Sequence, residues 1–117
     1  GGDSARHPLG DRRGHMPAFI HTITLRPKTG CLNEGRAEIA RMAQVAEAEG
    51  AKARMLLSMA GDTNQGVLVI EFDSGEAWAT FMQSEVVREA RRARFDEDFP
   101  LLVERTSVYQ EIDIART

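Results

Sequence analysis

One histidine falls inside the part of the chain that carries a hydrophobic pattern. His21 sits in AFIHTITL, Ala18 to Leu25. An imidazole titrates near neutral pH, so a histidine on a strand can serve as a general base. The same residue can instead be a buried, hydrogen-bonded structural group. Arg105 and Tyr109 share one face of VERTSVYQEI near the far end. A guanidinium and a phenol beside a base would hold an oxyanion such as a phenolate or enolate. The plainer use of that pair is an interface hydrogen bond and a surface ion pair. Trp78, Phe81 and Met82 recur at helical spacing in EAWATFMQSEVVREARRAR, and Met55 lies in ARMLLSMA. Such spacing reads as core, or as the lining of a pocket in which a flat aromatic ligand stacks on Trp78. Met42, Met55, Met59 and Met82 would make that lining adaptable. The candidate catalytic residues are thus His21, Arg105 and Tyr109. The candidate substrate-binding residues are Trp78, Phe81, Met82 and Met55.

Other reactive side chains point to no further chemistry. Glu71 reads as a pocket carboxylate beside His21 or as a strand-end salt bridge with Arg54. Cys31 is the single cysteine, with no sign of activation and no cysteine cluster for a zinc site. His7 and His15 lack the rest of a metal site, and no metal is expected. Arg88, Arg91, Arg92 and Arg94 alternate with Glu85, Glu89, Asp96, Glu97 and Asp98. Mixed signs at helical spacing suggest intrahelical ion pairs on a wet face. No P-loop, Rossmann glycine pattern, GxSxG elbow or HExxH is present, so nucleotide and flavin cofactors have no support.

These residues need elements to position them. The 117 residues suffice for one domain with a core, and a net charge of -3 argues against a dedicated nucleic-acid binder. Residues 1–16 have no hydrophobic period and read as a flexible arm or tag remnant; residues 17–117 form one domain. AFIHTITL is a strand that ends at Pro27. Asn33 caps a helix carrying Ile39, Met42, Ala43 and Ala46, and Gly50 stops it. Ala53–Ala60 and GVLVIEF, Gly66 to Phe72, make a hairpin. A second helix starts at Asp73 or Ser74, where Asp73 and Glu76 resemble a capping box. It continues, with a possible break, toward Phe95. Val103 to Ile112 alternates as a last strand. The order β-α-β-β-α-β is the ferredoxin-like arrangement of a four-stranded antiparallel sheet under two helices. Both sheet faces carry apolar residues, and an open apolar face is an aggregation hazard. A second copy packed face to face would cover it, giving a homodimer.

The pieces GAKARMLLSMAG, GVLVIEFDSGEAWATFM and SVYQEI resemble the dimeric α+β barrel superfamily, in its antibiotic-biosynthesis-monooxygenase and NIPSNAP-like branches. The likeness spans roughly Pro17 to Ile112. It implies an α+β barrel built by two chains. It also implies a cofactor-independent monooxygenase or cyclase of secondary metabolism, acting on an aromatic or polyketide-like substrate. The fold hosts many chemistries, so a non-catalytic dimeric binding or accessory protein is the other reading. Haem-degrading members resemble the chain at the second helix, and aligning them on SEVVREA puts Arg91 where they place the haem-ligating histidine. Arginine stays protonated and has no lone pair for iron, so haem degradation is disfavoured. No apolar run reaches transmembrane length and no signal-peptide core is seen. A cytoplasmic place, with no membrane or nucleic-acid partner, is expected.

Overall fold

A computed structural model describes residues 17–116. The arm expected over residues 1–16, with His7 and His15, lies outside the described residues. Strand β1 runs Phe19–Pro27, where β-branched residues alternate and a proline ends the run. Helix α1 runs Leu32–Ala48. Its N-cap is Cys31, without a side-chain bond, so the Asn33 cap does not form. A backbone turn starts the helix instead: Cys31 N–H donates to Lys28 O at 2.9 Å and Gly35 N–H to Cys31 O at 2.7 Å. The helix stops as expected at Gly50, whose φ of 95° lies in the left-handed region. Ala51 N–H returns to Ala46 O and Gly50 N–H to Glu47 O, the paired bonds of a Schellman stop.

Strands β2, Lys52–Leu57, and β3, Gly66–Phe72, form the hairpin. Helix α2 runs Gly75–Gln83 and α3 runs Glu85–Ala93. The cap of α2 is Ser74, whose Oγ accepts from Ala77 N–H at 3.1 Å, and not Asp73. Ser84, extended at φ -60° and ψ 135°, separates the two helices. That break turns α3 to a new direction. Strand β4, Leu101–Gln110, begins earlier than its alternation suggests because Leu101 pairs with Pro27. A short turn of 3-10 helix closes the described chain at Ile114–Arg116.

The sheet order is β2-β3-β1-β4 and every neighbouring pair is antiparallel. This is the ferredoxin-like arrangement. Directly paired residues share a sheet face. One face therefore carries Ala53, Ile70, His21 and Val108 in a row, then Met55, Leu68, Ile23 and Thr106. The three helices cover it. Leu25 and Leu68 are each 1% exposed at its centre, and burying such a side chain is worth about 1.5–3 kcal/mol. Met42 and Ala46 of α1, Phe81 of α2 and Val87 of α3 close the core from above. The opposite face presents Ile20, Val67, Leu56, Leu102 and Tyr109 with Thr22 and Thr24, and no helix or strand among the described residues covers it. Among the described residues no helix is long and apolar enough to cross a membrane.

One irregularity decides what reaches the site. Between Thr24 and Leu25 the β1–β4 register slips by one residue, and Glu104 is the extra residue of the bulge. A one-residue slip moves every later side chain to the other face.

Candidate functional site

His21 is the buried polar residue of the core, 7% exposed. It lies at the middle of the sheet, between Ile70 and Val108. A buried polar group without a partner costs free energy. Its partner comes from α2: Trp78 Nε1–H donates to His21 Nδ1 at 3.0 Å. An indole nitrogen can only donate, so Nδ1 accepts and the proton of the neutral ring sits on Nε2. Nε2 has no hydrogen-bond partner among the described residues. The free N–H of His21 is therefore available to a ligand.

Trp78 is itself fixed. Its ring packs on Phe19 at a centroid separation of 5.9 Å. Phe19 in turn lies against the first residue of α2. A Cβ added to Gly75 would stand 2.8 Å from the Phe19 ring, so only glycine lets the helix start approach so closely. The chain Gly75, Phe19, Trp78, His21 is a positioning device, set by the start of one helix and one strand face.

Above His21 is a small cavity of ≈ 40 Å³. Ile23, Met42, Phe81, Met82 and Val87 give it an apolar wall, and Arg91 and Arg94 close one side. Burial, then the positive charges of Arg94 and Arg91, push the His21 pKa down to about 4. The ring is thus neutral at physiological pH. The cavity has room for a water or two; an engineered cavity of about 150 Å³ takes benzene. A ring enters only if the lining moves, and Met42 and Met82 are the flexible members of that lining.

The candidate residues separate into two groups. Phe81 and Met82 line the cavity beside His21. Trp78 joins them by its hydrogen bond, but its ring packs on Phe19 and is not part of the cavity wall. Met55 lies on the same sheet face, packed against the core and against Gly66, away from the cavity. Arg105 and Tyr109 are on the other face: Arg105 pairs with Thr24 and Tyr109 with Ile20. The expected constellation of His21, Arg105 and Tyr109 does not form within the chain, and the bulge is the reason. The register at Leu25 and Val103, carried on without the slip, would set Arg105 opposite Ile23 and Tyr109 opposite Phe19, on the face of His21. Glu71 also faces away, with Arg54 Nη1 at 3.7 Å, which is the strand-end ion pair. Cys31 is free and half-buried. No cluster of three or more His, Cys, Asp or Glu side chains fit for a metal occurs among the described residues.

Two residues of the expected wet, ion-paired face, the exposed Arg91 and the half-buried Arg94, also line the cavity. Arg92 makes the expected ion pairs, at 2.6 Å to Glu89 and 3.3 Å to Glu85. Arg91 and Arg94 have no carboxylate partner among the described residues. Arg94 is half-buried, and its Nε is buried with no hydrogen bond. Its spacing from Val87 and Ala90 on the inner face was the available signal, since all three line the cavity. The run of arginines and acids hid it.

No family model matches the chain, and no curated protein matches it. Solved structures do. An 'antibiotic biosynthesis monooxygenase' from Deinococcus radiodurans, described as 'putative', superposes with a TM-score of 0.65 at 15% identity, over 81% of this chain and 93% of that one. A dabb family protein with a ferredoxin-like fold from Mesorhizobium loti gives 0.61 at 14% identity, over 85% and 99%. A conserved protein of unknown function from Bacteroides thetaiotaomicron, described as a 'possible oxidoreductase', gives 0.63 at 6% identity, over 81% and 98%. At such identities the likeness shows the fold that these proteins share with this chain, and not an activity.

Proposed function

We propose that this chain is a small enzyme that oxygenates or cyclises an aromatic or polyketide-like molecule without a metal or bound organic cofactor. One observation carries the reading: a neutral histidine, held by Trp78, offers a free N–H to an apolar cavity. The likeness of fold to a protein described as an antibiotic biosynthesis monooxygenase supports the same class.

The role of His21 follows from its tautomer. With Nδ1 capped by the indole, Nε2–H donates to a substrate oxygen and stabilises an enolate or phenolate. His21 is an oxyanion donor in this arrangement, and it becomes a base only if the indole lets Nδ1 go. A substrate with an acidic phenol or enol ionises by losing its proton to solvent. For oxygenation the stabilised carbanion passes one electron to O₂, and the radical pair joins as a peroxide. Water then leaves and a carbonyl remains. The substrate carbon gains one oxygen atom and loses two hydrogens, and the second oxygen atom departs as water, so no outside reductant is needed. For cyclisation the enolate carbon attacks a carbonyl within the same molecule, and water is lost. A dry cavity protects either intermediate.

The working unit we propose is a homodimer. Leu56, Leu102 and Tyr109 are about half exposed on the uncovered sheet face, and a second copy would cover them. Arg105 and Tyr109 then belong to that interface. Gel filtration with light scattering giving a monomer would contradict the dimer.

A second reading, a non-catalytic binding or accessory protein, is favoured by the capped Nδ1 and by the small cavity. Incubation with aromatic polyketides and quinols, followed by product mass, separates the two. Wild-type product that His21→Leu fails to make supports the enzyme; ligand binding without product supports the binding protein.

A further inference from the structure

Arg91 and Arg94 lie between two recesses. Inward is the His21 cavity. Outward is an open depression of ≈ 290 Å³ lined by Arg88, Arg91, Arg92, Arg94 and Phe95. Phe95 is 89% exposed there. The four arginines of this wall are not alike. Arg92 is held by Glu85 and Glu89, and Arg88 lies 4.0 Å from Glu85. Arg91 and Arg94 are free of carboxylates among the described residues, and the Arg94 Nε is buried and unbonded. Burying a guanidinium without an anion is costly. A neutral hydroxyl or amide cannot repay that cost. A carboxylate can, because its two oxygens match the guanidinium fork.

We propose that Arg91 and Arg94 form a carboxylate-binding gate, and that the ligand of the His21 cavity is an aromatic carboxylic acid. Its charged group sits between the two guanidinium groups, its ring lies along Phe95 in the outer depression, and its smaller apolar end enters the cavity. The proposal rests on the cavity named above as the ligand site, and it does not require catalysis. It deepens the reading in one way: the anion cancels the positive field that adds to burial in keeping His21 neutral. A bound acid therefore makes His21 easier to protonate, and an uncharged ligand does not. The groups that act on His21 from the packed elements are Arg91, Arg94 and the Trp78 indole.

The test uses benzoate and 2-naphthoate, each against its carboxamide, with the full chain and calorimetric titration. The acids are expected to bind about tenfold to a hundredfold more tightly than the amides, the range of one charge-assisted hydrogen bond. Arg94→Gln and, independently, the rim variant Arg91→Gln bring the acids to the affinity of the amides and leave the amides unchanged. Saturating benzoate raises the His21 ring pKa read by NMR, and benzamide does not move it. Amides binding as tightly as acids, acids indifferent to both substitutions, or no binding by any of the four would overturn the gate. Amides that bind equally well, with turnover in the product screen, would leave the enzyme reading intact and remove the gate. Arginine-dependent binding of acids with no turnover of any compound would keep the gate and remove the enzyme.

Discussion

Two sets of arginines in this chain are treated in opposite ways. Arg26, on the uncovered sheet face, is saturated with acids. It pairs with Asp62 and, at 3.0 Å, with Glu104, and Gln65 Nε2 donates to the same Glu104 at 2.9 Å. The hydrogen bonds that Arg26 donates to Asp62 and Glu104 raise the Arg26 pKa and lower the pKa of both acids. That cluster ties the β2–β3 loop to the bulge of β4. Arg91 and Arg94 are half-buried or at a cavity rim and have no acid among the described residues. Burial and the neighbouring Arg91 charge depress the Arg94 pKa, the reverse of the shift at Arg26. A saturated arginine needs nothing more than the fold. An unsaturated one, placed over the cavity of a buried imidazole, has no anion among the described residues.

The largest expected effect is on the pH dependence of stability. The His21 pKa is about 4 in the folded chain and near 6.5 unfolded. As pH falls below about 6.5 the unfolded chain takes the proton first, so folding stability drops until about pH 4, where both states hold it. The total is about 3 kcal/mol. Urea melts between pH 4 and 7 should show this slope, and His21→Leu should remove it. A slope unchanged in that variant would mean that His21 does not carry it.

Next in size is Arg94→Met without ligand. Removing an unpaired, half-buried guanidinium should raise the unfolding free energy from urea melts by about 1–2 kcal/mol. A loss of stability would mean that Arg94 is a structural arginine like Arg26. Trp78→Phe should cost about 1 kcal/mol through the lost hydrogen bond. It should also raise the His21 pKa by NMR, since the indole N–H favours the neutral ring. Arg26→Met should be the smallest. Its pairs are exposed, so the stability change should be slight and should fade at high salt. An effect larger than that of Arg94→Met would reverse the comparison.

Much of the fold was legible because it follows from local periods. AFIHTITL and GVLVIEF alternate, and both proved central strands with His21, Ile23 and Leu25 on the inner side. Phe81 and Met82 were legible as an inner helix face. The helix starts were less so. Ser74 caps α2 although Asp73 offers the same chemistry, and Cys31 stands where Asn33 was expected, because the turns that precede the helices choose the residue. The site was half legible. His21 and its neighbours from α2 came from type and spacing. Arg91 and Arg94 were hidden within a run of charges in which Arg88 and Arg92 do pair as the pattern suggests.

The order of elements, the inward stripe of each helix and the place of His21 on the first strand were determined by the sequence alone, through the two- and 3.6-residue periods and through residue type. The partners of that histidine were decided only by the tertiary structure. A slip of one residue at Thr24 and Leu25 sends Arg105 and Tyr109 to the uncovered face. The break at Ser84 lets α3 lay Arg91 and Arg94 over the cavity. Both depend on pairing and packing between segments far apart in the chain. Local patterns carry no record of such register.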